Sequence, residues 1–199
     1  ISNLSRPGSN VTGFSFIEPE IVGKWVVLLG DVKSDLSRIT FMFNPDTAPY
    51  YEGYVRSFKA SPQQASVELT AARVRTTAEA ELAIAGMTPS AGLIAAADPY
   101  IIRIRQMILQ AAAQHRVPVI SPYRQFVEEG SLMSYGPDTP EIFRRSASYI
   151  DRILKGESPG NLPAQSPDKF ELVVNLRTAK ALGLSVRESF LLLADEVIE

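Results

Sequence analysis

The side chains with chemical potential in this chain gather at a few turns and match no catalytic template. Asn44-Pro45-Asp46-Thr47, Asp98-Pro99-Tyr100 and Ser121-Pro122-Tyr123-Arg124 repeat one device, a short polar residue followed by proline, each directly after an apolar run. A fourth turn, Tyr135-Gly136-Pro137-Asp138, ends another run that begins at Leu132. Asn, Asp and Ser side chains accept the free N–H groups of a helix's first turn. Proline at the first helical position lacks the N–H that would be orphaned there, and it keeps the preceding residue extended. The plain consequence is good helix starting. The sharper expectation is that several helix N-termini converge on one mouth, where their free N–H groups favour an anion such as a carboxylate. Tyr100, Tyr123 and Tyr135 fall at or just past strand ends, and a flat ring with a polar tip suits sandwiching a small ligand. Arg124 suits a bidentate pair with a carboxylate, or equally a surface salt bridge. Asp98 suits an ammonium group, a helix cap, or both.

Enzymatic templates fail one by one. The chain has a single histidine, His115, and no cysteine, which removes thiol chemistry and leaves a zinc site without its usual ligands. There is no GxGxxG, no GxxxxGK[ST] and no Gly-x-Ser-x-Gly. No catalytic residue, metal site or cofactor is therefore expected; an enzyme using Asp98 or Asp138 as base is the weakest reading. The net charge of −2 leaves no basic field for holding nucleic acid, and no apolar run approaches the ~18 residues of a membrane span. With 199 residues, 45% of them hydrophobic, the chain is long enough for a real core without staples. Beginning at Ile1 without Met or a leader, it reads as a processed product or a fragment.

Positioning these turns requires a particular frame. Apolar runs at Ile39 to Phe43, Val67 to Val74, Gly92 to Ala97 and Val117 to Ile120 read as strands. Helical periodicity lies between them, over Glu18 to Leu29, Pro49 to Gln64, Ala78 to Ala85 and Pro99 to His115. In the second of these helices Tyr50, Tyr51, Tyr54 and Phe58 are read mostly as core. Val11 to Phe16 is β-rich. Beyond Gly136 the pattern predicts a helix over Pro140 to Leu154 with Ile142, Phe143, Ala147, Ile150, Ile153 and Leu154 inward. A strand over Phe170 to Asn175, a short helix over Thr178 to Leu182 and a last helix over Arg187 to Val197 follow. Strand alternating with helix implies an α/β fold with a parallel sheet and helices on both faces. Ligands in such sheets sit beyond the carboxyl ends of the strands, where the polar-proline turns fall.

Along its whole length the chain resembles the ABC transporter substrate-binding proteins of the tryptophan/tyrosine type. The resemblance is carried by SRPGSNVTGFS, FNPDTAPY, the DPY turn, VPVISPYRQFVEEGSLMSYGPD, RSASYIDRILKGESPGNLPAQSP and KFELVVNLRTAKALGL followed by ADEVIE. It implies a type I periplasmic-binding-protein fold: two α/β lobes joined by crossing strands, with ligand between them and a membrane permease as partner. It also implies a periplasmic location after export, often with a lipid anchor, and N-terminal truncation here. Residues 17–133 would be a nearly complete second lobe, residues 1–16 and 134–169 the hinge and remnant of the first, and 170–199 stay unassigned. The helix over Pro140 to Leu154 would then have lost its sheet, so a homodimer is expected to cover it. Site residues carried over are Asn44, Asp98, Tyr123 and Tyr135, with Phe14 and Ser15 near the crossing. Tyr100, Arg124 and Asp138 join them from the reading of the turns. Asp98-Pro99-Tyr100 and Pro122-Tyr123-Arg124 are more aromatic than the tryptophan-binder pattern, which widens the expected ligand to a small carboxylate-bearing molecule, aromatic or amino-acid-like. A ligand-sensing domain of a regulator with the same fold is the alternative.

Overall fold

The computed structural model describes residues 3–16, 19–60 and 67–199. They divide into two compact units, one of residues 1–18 and 137–171, the other of residues 19–136 and 172–199. The chain passes between units beside Pro19, at Gly136-Pro137 and at Glu171-Leu172.

The larger unit is built on β1 (Arg38–Phe43), β2 (Glu68–Arg73), β3 (Ala91–Ala95), β4 (Val119–Ser121), β5 (Met133–Pro137), β6 (Phe170–Asn175) and β7 (Glu196–Ile198). Among the described residues these form one seven-stranded sheet in the order β2-β1-β3-β4-β5-β6-β7. β1 pairs in parallel with both β2 and β3, β4 with β3 and β5, and β7 with β6. Helix α1 (Ile21–Val32) leads into β1, and α2 (Tyr51–Lys59), α3 (Thr77–Ala85), α4 (Pro99–Arg103), α5 (Arg105–Gln114) and α6 (Arg124–Glu128) connect the first five strands. The central strands are apolar on both faces, as helices on both sides demand: every residue of β3 is buried. In one layer Trp25 packs on Phe41 at 6.3 Å and Phe41 on Tyr51 at 5.2 Å, all three fully buried. The other layer gathers Leu93, Ile101, Ile108, Val119 and Phe126 beneath α4 and α5.

The strand order turns at one place. From β1 the sheet grows one way to β2 and the other way to β3, β4 and β5. This 2-1-3-4-5 order has its topological switch point between β1 and β3, where the crossovers leave in opposite directions and open a crevice beyond the strand ends.

In the smaller unit α7 (Thr139–Leu154) is held by the segments around Phe14 and Gln165. Ser15 N donates to Gln165 O at 2.8 Å, and the Tyr149 hydroxyl donates to Pro163 O at 2.8 Å. The inward face expected for α7 is corrected. Phe143, Ile150 and Leu154 are 71%, 57% and 82% exposed, and Tyr149 is the residue that turns inside. The helix is amphipathic as the pattern requires, but its apolar stripe faces away from the segments that hold it.

Three further expectations change. The last helix ends early: α9 covers only Glu188–Leu191, after α8 (Leu176–Ala181), and the chain then enters β7. Asp195 N donates to Leu172 O and the Asp195 carboxylate accepts from Leu172 N, both at 2.8 Å, which sets this strand beside β6. The helix expected over Pro99 to His115 is two, broken at Ile104. Val11 to Phe16 forms a single bridge, from Phe14 to Gln165, instead of a strand. The starts at Ile17 and Glu18 and the extension of α2 through Ser61 to Gln64 lie outside the described residues.

Candidate functional site

The carboxyl ends of β1, β3, β4 and β5 deliver Asn44, Asp98, Ser121 and Tyr135 to one edge of the larger unit. The switch point is tied by Asp98. This residue is fully buried, and its carboxylate accepts from Asn44 N at 2.5 Å, from the Thr47 hydroxyl at 2.7 Å and from Tyr100 N at 2.7 Å. One oxygen caps α4 while the other holds the end of β1 against the end of β3. Three donors compensate a buried charge, as an anion without a cationic partner requires. Asp98 therefore braces the crevice. Asn44 is itself turned inward, its amide oxygen accepting from Asp46 N at 2.8 Å.

Above this brace stands a tyrosine wall. Tyr51 is fully buried against Phe41 and Phe43, and its ring meets Tyr50 at 4.7 Å and Tyr54 at 4.9 Å. Tyr50, just ahead of α2, is 54% exposed and presents its ring to solvent at the carboxyl edge. Burial pushes the Tyr51 phenol far up, helped by Tyr50, Tyr54 and Tyr123. Burial also raises Tyr123, with Tyr50 adding to the effect, and raises Tyr50, with the Asp98 carboxylate adding to it. These mutual influences place Tyr50, Tyr51, Tyr54, Tyr123 and Asp98 in one neighbourhood of neutral phenols.

Tyr135 closes the other end of the edge. Trp25 Nε1 donates to Tyr135 O at 2.7 Å, so α1 is pinned to the end of β5. Lys24, exposed on the next position of α1, lies with Nζ 5.8 Å from the Tyr135 ring centroid and forms no ion pair among the described residues. Gly136 follows at a close approach. A Cβ there would come within 2.8 Å and 2.9 Å of the Pro122 carbonyl carbon and Cα, so the turn after β4 rests directly on β5.

The remaining expected residues fall elsewhere. Tyr100 is buried in the core under Arg103, whose guanidinium stacks 4.9 Å from the ring centroid. Arg124 is engaged by Glu128 at 2.9 Å and by both oxygens of Glu196, so its guanidinium is already answered by carboxylates of the chain. Phe14, Ser15 and Asp138 belong to the smaller unit. Phe14 stacks on Tyr149 at 5.0 Å with Arg145 over its ring at 5.1 Å. Asp138 caps α7 by accepting from Glu141 N at 3.0 Å and pairs with Lys169 at 3.0 Å. The helix N-termini expected to converge are also weaker than anticipated. α4 and α6 are five residues each, and Asn44-Pro45 opens a turn with α2 starting only at Tyr51. Sequence reading missed Tyr50, assigned to the core, and Lys24, which it did not single out. Nothing in the sequence set Tyr50 apart, because the helix was expected from Pro49, whereas α2 starts at Tyr51.

The edge can hold a flat apolar group against tyrosine rings and offer phenolic hydroxyls and one ammonium group to a carboxylate. Among the described residues no three His, Cys, Asp or Glu side chains cluster as metal ligands, and no helix is long and apolar enough to cross a membrane. A parallel sheet of this order, with its ligand-type groups at the carboxyl edge beside chain crossings, defines an α/β domain of the periplasmic-binding-protein type. The chain belongs to the ABC transporter substrate binding protein family, whose pattern it matches over residues 1–198. A tyrosine-binding protein of Clostridioides difficile (strain R20291) is 22% identical over 185 residues, 92% of this chain and 53% of that protein. A conserved domain protein from Vibrio cholerae is 27% identical, with a TM-score of 0.88 over 99% of this chain and 66% of that one. An ABC domain from Streptococcus pneumoniae in complex with L-Trp is 22% identical, with a TM-score of 0.86 over 98% of this chain and 67% of that one. The chain thus spans about half the length of the curated relative and about two-thirds of the solved structures.

Proposed function

We propose that this chain supplies the ligand-capturing face of a solute-binding component of an ABC import system, and that its solute is an aromatic amino acid or a closely similar aromatic carboxylate. The carrying observation is the exposed Tyr50 ring standing on Tyr51 at the β1/β3 switch point. A relative named for binding tyrosine and a structural neighbour solved in complex with L-Trp support the same class of solute. Within the site, Tyr50, Tyr123 and Tyr135 receive the aromatic ring and Lys24 receives the carboxylate. Asn44 and Asp98 hold the crevice in shape. The protein captures and releases its solute without turnover. It works outside the cytoplasmic membrane, in the periplasm or held to the outer surface by a lipid, and hands the solute to a membrane permease.

The test is isothermal titration of the whole protein with L-tyrosine, L-tryptophan, L-phenylalanine and L-leucine. The aromatic amino acids should bind and L-leucine should not. Tyr50→Ala should weaken binding by about 1–2 kcal/mol, the worth of an aromatic contact, without lowering the unfolding midpoint. Absence of heat with every aromatic amino acid, or unchanged affinity in Tyr50→Ala, would sink the proposal.

We further propose that the chain by itself pairs with a second copy through α7. Phe143, Ala147, Ile150 and Leu154 are exposed at four-three-four spacing, the interval of a coiled-coil seam. Light scattering should give a dimer that Ile150→Lys with Leu154→Lys converts to monomer. A monomer at high concentration in the parent chain refutes the pairing.

A further inference from the structure

A second concavity lies in the larger unit at the opposite, amino edge of the sheet. Its volume is about 330 Å3, at the low end of the ~300–1,000 Å3 of small-molecule pockets. Leu109 and Ala112 of α5, Val117 and Val119 at the start of β4, Leu132 just before β5 and Ala181 of α8 line it. The first five of these are buried, so the hollow is a gap in the packing between two helices and the sheet. An apolar hollow of this kind holds water poorly and gains by taking up apolar atoms.

Its rim is charged, and one-sidedly. Arg177 of α8 lines the cavity, is exposed, and makes no ion pair or hydrogen bond among the described residues. Among the described residues, no acidic side chain lines the cavity. The nearby chain adds Arg116, directly before Val117, and Lys180, directly before Ala181, and neither has an ion pair among the described residues. The contrast with Arg124, Arg105 and Arg73, each held by a glutamate, is plain. The neighbouring hydroxyl, Thr178 Oγ1, donates to Gly130 O at 3.1 Å and so fixes α8 against the turn before β5.

We propose that this cavity is a second binding site, for an aliphatic monocarboxylate, with the hydrocarbon chain in the hollow and the carboxylate on Arg177. Taking ~30 Å3 per small group, the hollow takes up a chain of at most roughly ten heavy atoms. The site is separate from the tyrosine edge, at the other end of the strands, and takes a different ligand.

The experiment is isothermal titration with a series from butanoate to decanoate, with octan-1-ol as the uncharged counterpart. Each added methylene should tighten binding roughly fourfold until the hollow is full. Arg177→Gln, at an exposed position that tolerates the change, should weaken octanoate about fivefold or more and leave octan-1-ol unchanged. Ala181→Leu, also exposed, fills the hollow and should weaken both. Binding of aromatic amino acids should be unaffected by either substitution, which separates this site from the tyrosine edge. No binding of octanoate at millimolar concentration, no dependence on chain length, or equal octanoate affinity in Arg177→Gln overturns the proposal.

Discussion

Replacing Gly136 by alanine tests whether the turn after β4 and the end of β5 are held in direct backbone contact. The added Cβ would sit 2.8 Å from the Pro122 carbonyl carbon and 2.9 Å from its Cα, with the carbonyl oxygen nearer still. Ordinary carbon contacts begin near 3.5 Å, so the two segments must part by over ~0.6 Å. No flexible side chain can yield, because all three neighbours are backbone. The ladder resists as well, since Ile120 pairs with Met133 and Ser121 with Ser134 just before the contact. Forcing extra volume into packed structure costs ~1–3 kcal/mol, and a backbone clash belongs at the upper end, near 3 kcal/mol. For a chain of this size each kcal/mol moves the midpoint by about 2–4 °C, so a fall of roughly 6–12 °C is expected. Thermal and urea unfolding followed by circular dichroism measure it. Gly53→Ala in α2 is the control: nothing lies within 4 Å of its added Cβ, and removing a helical glycine should raise stability by ~0.5–1 kcal/mol. A Gly136→Ala midpoint within ~0.5 kcal/mol of the parent would refute the contact argument.

Asp98→Asn keeps the shape of the brace but turns an amide NH2 toward backbone and hydroxyl donors; it should lower urea stability by ~2–3 kcal/mol, with a loss below ~1 kcal/mol counting against the brace. Tyr51 carries a pH signature. Its folded value lies far above the unfolded ~10, so its contribution is complete below pH ~10 and drains as pH rises further, at ~1.4 kcal/mol per pH unit. Tyr51→Phe should be ~1 kcal/mol less stable at neutral pH, having lost a hydroxyl bond to Ala97, yet fall less steeply above pH 10; parallel curves would refute the assignment. Glu196→Gln breaks an exposed pair and should cost under ~1 kcal/mol by urea unfolding.

The sheet was legible where local pattern and tertiary role coincide. Ala91 to Ala95 is an unbroken apolar run because helices cover both faces of β3. The tail was not legible, because its pattern serves two elements. Leu191-Leu192-Leu193 reads as helix, but the strand at Glu196 exists through reciprocal bonds to Leu172, a partner no local window contains. The candidate site divides in the same way. Asp98 as a helix cap follows from Asp-Pro spacing, while its grip on Asn44 N spans 54 positions of sequence. Arg124 was left between ligand and salt bridge, and the deciding partner, Glu196, lies 72 positions away. Tyr50 was hidden by its neighbours, since four aromatics near helical spacing read as a stripe even when the first stands ahead of the helix.

The chain's one tryptophan stands at an informative place. Trp25 is fully shielded from solvent, and its indole proton is committed to the backbone oxygen of Tyr135, one residue before the chain leaves the larger unit. Its fluorescence therefore carries an optical readout of that crossing strand, with no label added and no second indole to blur the signal. Any rearrangement at Tyr135 that loosens this bond should change emission colour or intensity, whether solute, denaturant or Gly136→Ala brings it about.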